Sequence, residues 1–512
     1  MKPILPLAAA GLAAFLVNQG AAGALGAGPA PQAAEARPPQ AAESDVQLAD
    51  RYFADGRYAD ARDAYRRAVA SEDAAVAIGA GAGLVLALLR TGEFQTAYEA
   101  ASDLTRAHPS SPIVAASSGD ALWSMGRFEE AEASYARALD TDPDQARARH
   151  GRARSLAAQG RLDDALADVQ RAIRNAPREM EFHHTLASIY ERLRRFEDAA
   201  DALTRYAALL PNHERSEKAA WARAEIKFLR SFRGREPFRI EPRAPGGVWT
   251  VPVRIHGDKV TVQGKVNGGS QEFILDTGAE RTVLSLDVAR RRGVMPVSAM
   301  RTAGIGAAGM RGLQVGRIDS LEIGGLKMRD VPCLIKNPPL GGLPRREPES
   351  FSPLAVGLSM RLDYQRRTLT VGRSLSPSAY TESLPLRMHR LALVGGMVNG
   401  SLPASFVVDT GGEVISISDA TAGQLRTSSP PRRIPLRVYG TSGWDRDAFL
   451  MPGVDLAFSS IKFSRIPVVV LNLKAPSALL GFQLGGIVGH RFLSKYTVTV
   501  DLERSVVGLE GM

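Results

Sequence analysis

Two aspartate-containing tripeptides are the residues best suited to chemistry in this sequence. Asp276-Thr277-Gly278 and Asp409-Thr410-Gly411 each follow a short apolar run. At average amino-acid usage, a given tripeptide occurs about once in several thousand positions, so two copies in one chain of 512 residues need an explanation. Two carboxylates held about 3 Å apart cannot both ionise, and a pair that shares one proton can act as acid and base together. The tripeptides therefore predict a site with paired carboxylates.

The two tripeptides lie in duplicated segments, residues 262–285 and 394–418. Both segments contain Val-Asn-Gly and then Phe-x-x-Asp-Thr-Gly-x-Glu in the same order. In each copy, the Asn-Gly pair predicts a hairpin turn that leads into an apolar strand ending at the aspartate. Short β-branched and apolar runs separated by Gly and Pro continue from about residue 240 and indicate an all-β region.

These segments resemble the retropepsin-like aspartic proteases. That family has an apolar-apolar-Asp-Thr-Gly-Ala/Ser loop and, on a later strand, an apolar-apolar-Gly motif. We assign the second motif to Ala355-Val356-Gly357 in the first copy and to Ile487-Val488-Gly489 in the second. The resemblance implies two β-barrel lobes that face one another, over residues 246–375 and 383–512.

The resemblance also implies roles for the loop residues. Asp276 and Asp409 become the catalytic residues of an endopeptidase, which activates a water molecule between them without a metal or cofactor. Two threonines clamp the loops together through their hydroxyls, and two glycines allow a tight turn and close backbone approach; these are Thr277, Thr410, Gly278 and Gly411. A polypeptide substrate is expected to lie extended between the lobes, bonded as an added strand.

Each lobe is expected to contribute a hairpin flap over the substrate, from residues 302–312 and 438–447. The candidate flap residues are Gly306, Tyr439 and Trp444. The two aromatic residues are equally consistent with core packing. Residues 304–309 also match the dinucleotide-binding pattern Gly-x-Gly-x-x-Gly. No parallel strand is predicted before them and no helix after them, so we do not predict a nucleotide site.

Three departures from the family pattern keep alternatives open. The distance from Gly357 to Asp363 is six residues shorter than that from Gly489 to Asp501, so the end of lobe one is expected to be abbreviated. Lobe one also has a Pro- and Gly-rich insert at 336–350, and Gly412 stands where Ala or Ser is usual. One alternative is an inactive scaffold that only binds peptides. Another is a protease assembled from lobes of two chains.

The N-terminal half repeats with a period of 34 residues. The period is marked by turn glycines and by prolines that end each unit: Gly92, Gly126, Gly160, Pro109, Pro143, Pro177 and Pro211. The pattern resembles the tetratricopeptide repeat and predicts an α-solenoid of five copies with a capping helix, over residues 45–232. We expect substrate or an unidentified protein to dock in its groove, which the family frame lines with Trp123, Arg147, His150, Arg154 and His184.

Composition excludes several other classes. Arg and Lys outnumber Asp and Glu by 64 to 54, but the charges alternate along the predicted helices, so we expect no nucleic-acid partner. Cys333 is the only cysteine, which excludes an intrachain disulfide and a thiolate metal cluster. We expect it to be a small core residue. The eight histidines show no metal-ligand spacing, and neither His-Glu-x-x-His nor Gly-x-Ser-x-Gly occurs.

The first residues are typical of a signal peptide. Lys2 precedes an uncharged apolar stretch at 4–17 and then a run of small residues. We predict a signal peptide at 1–24, a disordered spacer at 25–44, and export to the periplasm or beyond the cell without a stable membrane span. An uncleaved anchor is the alternative. The mature chain should begin between about residues 22 and 33; N-terminal sequencing that finds Met1 retained would contradict export by this route.

Overall fold

The computed structural model describes residues 7–9, 39–241, 245–303, 310–336, 349–425, 432–440 and 443–511. A short strand comes first, β1 (Leu7–Ala9). The helices that follow are α1 (Pro39–Ala54), α2 (Tyr58–Ala68), α3 (Ala74–Thr91), α4 (Phe94–Ala107), α5 (Pro112–Ser124), α6 (Phe128–Thr141), α7 (Ala146–Ala158), α8 (Leu162–Asn175), α9 (Met180–Arg192), α10 (Phe196–Leu209) and α11 (Glu217–Arg230). They form five antiparallel pairs and a final capping helix, as the repeat predicts.

The turn within each helical pair explains the period. The turn glycines have positive φ angles, between 71° and 79°, for example at Gly126 and Gly160. Arg194 takes the same left-handed conformation in the last pair, with φ of 62°. A non-glycine residue in this region costs about 1–2 kcal/mol. The Arg194 guanidinium donates to the carbonyls of Phe238 and Val356, each at 3.2 Å, so this turn is tied to lobe one.

The array begins earlier than the sequence predicts. Helix α1 starts at Pro39, so residues 39–44 of the predicted spacer are helical. Proline is favoured at the first helical position, and Ala42 is fully buried against the next helices. Helix α3 is long and apolar enough to span a membrane by length and composition alone. Its Leu84 and Leu88 are buried within the array, however, where they help to hold the first repeats together.

Lobe one is built from short strands around a buried core. Its elements are β2 (Arg239–Ile240), β3 (Val248–His256), β4 (Lys259–Val266), β5 (Gly269–Leu275), β6 (Thr282–Ser285), α12 (Leu286–Arg291), β7 (Pro296–Ala303), β8 (Met310–Ile323), β9 (Leu326–Lys336), β10 (Ser350–Phe351), β11 (Ser359–Asp363) and β12 (Thr368–Gly372). Strand β2 pairs with β9 and precedes residue 246, the predicted boundary of the lobe.

Lobe two repeats this arrangement. Its elements are β13 (Glu382–His389), β14 (Leu391–Val398), β15 (Leu402–Val408), β16 (Ile415–Ser418), α13 (Asp419–Gln424), β17 (Ile434–Pro435), β18 (Val438–Gly440), β19 (Gly443–Asp445), β20 (Phe449–Phe458), β21 (Ile461–Leu471), α14 (Lys474–Leu480), β22 (Gly486–Val488), α15 (His490–Leu493), β23 (Tyr496–Asp501) and β24 (Val506–Gly511). Strand β1 pairs in parallel with β18.

A six-stranded antiparallel sheet joins the two lobes. Its order is β3, β12, β11, β23, β24 and β13, and the lobes meet where β11 pairs with β23. Each lobe contributes three equivalent strands on its side of that junction. Leu362 on one side and Val498 on the other are opposite each other and fully buried. The sheet therefore gives the lobes a common rigid base and relates them by an approximate two-fold axis.

The repeat array packs directly against both lobes. Phe128 meets Phe482 of lobe two edge-on, with ring centroids 5.3 Å apart, and Trp123 meets His389 at 5.5 Å. The backbone N–H of Gln483 donates to a carbonyl of the array at 2.7 Å. Apolar residues of lobe one, including Val315 and Leu334, are buried in one cluster with α10 and α11.

Replacing Phe482 tests this packing. Phe482→Ala should lower the free energy of unfolding by about 3–5 kcal/mol, because a fully buried ring is lost and its cavity cannot fully collapse. Urea unfolding of the full chain measures the effect. Ile434→Ala is the matched control, since Ile434 is an exposed strand residue that should tolerate truncation. Equal unfolding midpoints for the two variants would refute the interface.

Candidate active site

The two aspartate loops begin from matching hairpins. Asn267-Gly268 and Asn399-Gly400 all have positive φ angles, the geometry of a tight two-residue hairpin turn. The side chains of Asn267 and Asn399 also accept equivalent backbone N–H bonds, each at 2.9 Å. Strands β5 and β15 leave these turns and run through the lobe cores. Each strand ends one residue before an aspartate, Asp276 or Asp409, so a buried strand fixes the position of each loop.

A second strand supports each loop from behind, but in lobe one it is not the strand expected from the sequence. Strand β22 lies parallel to β15, and the N–H of Asp409 donates to Val488 O at 3.0 Å. In lobe one the equivalent strand is β10, and the N–H of Asp276 donates to Phe351 O at 2.9 Å. Residues 354–356 instead form a short 3-10 helix, so the assignment of Ala355-Val356-Gly357 as the second motif is wrong.

This shift also removes the expected abbreviation of lobe one. With Phe351 equivalent to Val488, Ser352 occupies the position of Gly489. Eleven positions separate Ser352 from Asp363, against twelve between Gly489 and Asp501. The supporting strand of lobe one carries polar residues where the family motif is apolar, which hid it in the sequence. Its Glu349 is buried and accepts hydrogen bonds from Gln271 and Ser285, at 2.8 and 2.7 Å.

Four hydrogen bonds clamp the two loops together. The hydroxyl of Thr277 donates to Val408 O at 2.6 Å and accepts from the N–H of Thr410 at 3.0 Å. The Thr410 hydroxyl does the converse: it donates to Leu275 O at 2.8 Å and accepts from the N–H of Thr277 at 3.1 Å. We call this set the threonine clamp. It brings Asp276 and Asp409 of the same chain to one site.

The environment of the carboxylates favours a shared proton. Asp276 and Asp409 are each 2% exposed. Burial, and then the charge of Asp276, raise the pKa of Asp409 to about 8. Burial also raises the pKa of Asp276, while the charges of Lys336 and Lys259 and a hydrogen bond from Ser350 oppose that rise. The pair therefore retains a proton more readily than two isolated carboxyl groups would.

The Oδ1 atoms of the two carboxyl groups differ in their hydrogen bonding. Asp409 Oδ1 accepts from the N–H of Gly411 at 2.8 Å. Asp276 Oδ1 is buried and has no hydrogen-bond partner among the described residues. A Cβ on Gly412 would approach Asp409 Oδ2 to 2.9 Å, closer than Cβ atoms normally come. Glycine at 412 thus lets the backbone pass close to the carboxylate.

Ion pairs between the lobes flank the loops, and we did not assign these residues from the sequence. Arg390 of lobe two bonds Glu280 at 3.2 Å, four positions after Asp276. In the mirrored contact, Lys259 of lobe one lies 3.5 Å from Glu413, four positions after Asp409. The repeated glutamate was visible in the duplicated segments. Its basic partners were not, because they lie on the opposite lobe and at offset positions.

The predicted flap segments only partly lie among the described residues. Strands β7 and β8 pair as a hairpin whose tip, with Gly306, lies outside the described residues. No helix starts directly after 304–309, since strand β8 begins at Met310. In lobe two, β18 and β19 pair so that Tyr439 is opposite Trp444. The side chains of these two aromatics lie outside the described part of the chain.

Two further sequence predictions concern metals and Cys333. Among the described residues, no cluster of three or more His, Cys, Asp or Glu side chains is suited to a metal ion. Cys333 is fully buried in β9, opposite Thr282, as expected for a core residue. Burial raises the pKa of its thiol to about 12, so it is neither a nucleophile nor a ligand at neutral pH.

The groove of the array faces the lobes. All five residues assigned to the groove line one cavity, together with lobe residues such as Arg390. Two of them are already paired, since Arg147 and Arg154 both bond Asp120, at 2.8 and 2.6 Å. His150 contacts a threonine hydroxyl at 2.8 Å. The groove is thus not an open surface, and a docked protein would have to share it with the lobes.

The threonine clamp can be tested by stability. Thr277→Val keeps the size of the side chain but leaves Val408 O and the N–H of Thr410 without partners. Each orphaned buried group costs about 1–3 kcal/mol, so we expect a loss of about 2–5 kcal/mol in the free energy of unfolding. Thr277→Ser keeps the hydroxyl and should lose under half of that. Urea titration measures the free energy of unfolding of both variants. An equal loss for the two would mean that the hydroxyl contributes nothing to stability.

Comparisons with known proteins agree with this architecture. Residues 262–342 match the family model for gag-polyprotein putative aspartyl protease, residues 394–489 match aspartyl protease, and tetratricopeptide repeat models match 46–112, 82–146, 117–179 and 150–214. No curated protein matches the chain.

Similar solved structures include a protein of Thermus thermophilus and one of Desulfovibrio magneticus. A thermophilic TPR protein of Thermus thermophilus is 19% identical, over 36% of this chain and 99% of its own, with a TM-score of 0.31. MamA from Desulfovibrio magneticus is 18% identical, over 33% and 94%, with a TM-score of 0.24. These scores are too low to relate the folds. On the family models, the chain carries tetratricopeptide repeats in its N-terminal part and two aspartyl protease-like domains in its C-terminal part.

Proposed function

We propose that this protein is an aspartic endopeptidase whose catalytic residues are Asp276 and Asp409 of one chain. The observation that supports this most directly is the threonine clamp, which joins the two loops within the chain. A pair formed in this way needs no second molecule. It therefore favours the single-chain enzyme over a protease assembled from lobes of two chains.

The proposed reaction is direct attack by water. A water molecule between the carboxyl groups loses a proton to ionised Asp276, and its oxygen attacks the carbonyl carbon of the peptide bond. Protonated Asp409 donates to the carbonyl oxygen, which gives a tetrahedral intermediate. Collapse of the intermediate breaks the C–N bond: the proton held by Asp276 passes to the leaving nitrogen, and a hydroxyl of the intermediate returns a proton to Asp409 as it becomes the new carbonyl. The pair ends with one proton, as it began, and no covalent enzyme intermediate forms.

The surroundings support this division of roles. Burial raises the pKa of Asp276, but the charges of Lys336 and Lys259 and a hydrogen bond from Ser350 oppose that rise and favour the ionised form. The substrate would lie extended between the lobes and under the two hairpin flaps, bonded through its main chain. In this proposal the repeat array docks the substrate or a partner protein, and the enzyme acts after export, in the periplasm or outside the cell.

The test is the behaviour of the pair. Asp276→Asn and Asp409→Asn should each lower peptide-hydrolysis rates by at least about a thousandfold, and the double variant should be scarcely worse, because residues that act as a unit are not additive. Hydrolysis of an unfolded protein, followed by mass spectrometry, measures this. Asp287→Asn is the control, since Asp287 is an exposed carboxylate of the same lobe.

The pH profile gives a second readout in the same experiment. The rate should fall as pH rises through about 8, because the proton on Asp409 is then lost, and it should fall again at low pH when Asp276 is protonated. Full activity of Asp409→Asn together with an inactive Asp276→Asn would refute the single-chain pair. A wild-type protein that binds a statine peptide but cleaves nothing would instead establish the non-catalytic scaffold.

A further inference from the structure

A cavity of about 710 Å³ lies between the repeat array and the two lobes. Its volume is within the range of about 300–1,000 Å³ that is usual for ligand sites. Repeat helices form most of its wall, and the lobes supply the rest, which includes Glu280 and Arg281 of lobe one and Arg390 of lobe two. Asp276 and Asp409 do not line it, so it is distinct from the catalytic pair.

The charges around the cavity are unbalanced. Nine Arg and Lys residues line it, against six Asp and Glu. Some of the cations are neutralised: Asp120 bonds both Arg147 and Arg154, and Glu181 is ion-paired with Arg90. The single negative charge of Asp120 is thus shared by two guanidinium groups. The cavity keeps an excess of positive charge on the side formed by the repeats.

Two cations account for much of this excess. Arg192 donates to the carbonyls of Ala157 and Met388, the latter at 3.3 Å, and these are neutral acceptors. Lys218 forms no ion pair with any carboxylate in the described part of the chain. The charge of Glu181 acts on Lys218, but Glu181 is already ion-paired with Arg90. Both side chains are partly buried, and a cation withdrawn from water without a counter-charge is costly. An anionic ligand in this cavity would remove that cost.

The cavity is also close to the catalytic loop. Glu280 lies on its wall and is four positions after Asp276. Four residues of fully extended chain span at most roughly 14 Å. An extended peptide covers about 3.3 Å per residue, so the wall at Glu280 lies within about four residues of the catalytic pair along an extended peptide. The ligand most readily brought there is therefore another part of a bound substrate.

We propose that this cavity is an exosite that binds an acidic segment of the polypeptide substrate. The proposal rests on the proteolytic function proposed above, and it adds a substrate class: chains with clustered Asp or Glu about four or more residues from the cleaved bond, on one side. Arg192 and Lys218 provide the charge that recognises the segment. They are binding residues and take no part in peptide hydrolysis itself.

Binding is measured first, with an inactive protein so that the probe stays intact. Full-length Asp409→Asn is titrated against fluorescein-labelled hexaglutamate, with hexaglutamine and hexalysine as matched probes, and fluorescence anisotropy is recorded. Hexaglutamate should bind at least about tenfold more tightly than either, a difference of about 1.4 kcal/mol. Added salt should weaken it only moderately, since enclosed charges are screened less than exposed ones. Equal affinity for the three probes would overturn the proposal.

Variants locate the site. Lys218→Gln and Arg192→Gln should each weaken hexaglutamate binding about tenfold, while Lys218→Arg should keep it. Arg57→Gln is the control: Arg57 is exposed and does not line the cavity, so its replacement should leave affinity unchanged. Unfolding curves show whether each variant is folded. If Arg192→Gln destabilises the chain, the binding result of Lys218→Gln decides. Unchanged binding by folded Lys218→Gln would also overturn the proposal.

Cleavage of a peptide library then tests whether the ligand is substrate. The active protein should prefer peptides with Asp or Glu about four or more residues from the cut bond, and Lys218→Gln should lose that preference without losing cleavage of neutral peptides. Cleavage without acidic preference would overturn the exosite and leave the protease proposal standing. Binding of hexaglutamate without any cleavage would refute the proteolytic function, and the substrate assignment with it.

Discussion

The threonine clamp is the interaction on which the rest of the C-terminal region depends. Each threonine hydroxyl donates to the strand of the other lobe and accepts from the other threonine's backbone, so neither loop can satisfy its bonds alone. Because the bonds come in two equivalent pairs, the loops must be related by an approximate two-fold axis. The six-stranded sheet at the base satisfies that requirement with three equivalent strands from each lobe.

The threonine clamp also holds the carboxylates of Asp276 and Asp409 together despite their electrostatic repulsion. Two buried like charges at one site are unfavourable, and the pair responds by retaining a proton. The clamp, the shared sheet and the crossed ion pairs of Glu280 and Glu413 hold the loops in place against this repulsion. The proton sharing at the site and its electrostatic cost thus have one origin, the close approach of the two loops.

The sequence predicts those features that are local and periodic. The 34-residue period identifies the helical pairs, because turn glycines such as Gly126 need a left-handed backbone, and the duplicated Asp-Thr-Gly segments identify both lobes. It failed at the supporting strand of lobe one, where polar Ser350 replaces the apolar residue of the family motif and a look-alike, Ala355-Val356-Gly357, follows closely. It also missed contacts made across the fold, such as Arg390 with Glu280, since nothing local specifies which residues meet.

The most consequential contact of that kind links the repeats to the loop that carries Asp276. Arg281, five positions after Asp276, bonds buried Glu225 of α11 and lies 3.6 Å from Glu191 of α9. Burial, and then the charge of Glu225, raise the pKa of Glu191 to about 8. Near neutral pH the guanidinium of Arg281 is therefore paired mainly with the carboxylate of Glu225. Removing one partner of such a buried pair typically costs about 3–5 kcal/mol. The loop that carries Asp276 is consequently held from two directions, by lobe two through the clamp and by the repeat array through Arg281. The array is therefore part of the support of this loop as well as a neighbour of the outer surfaces of the lobes.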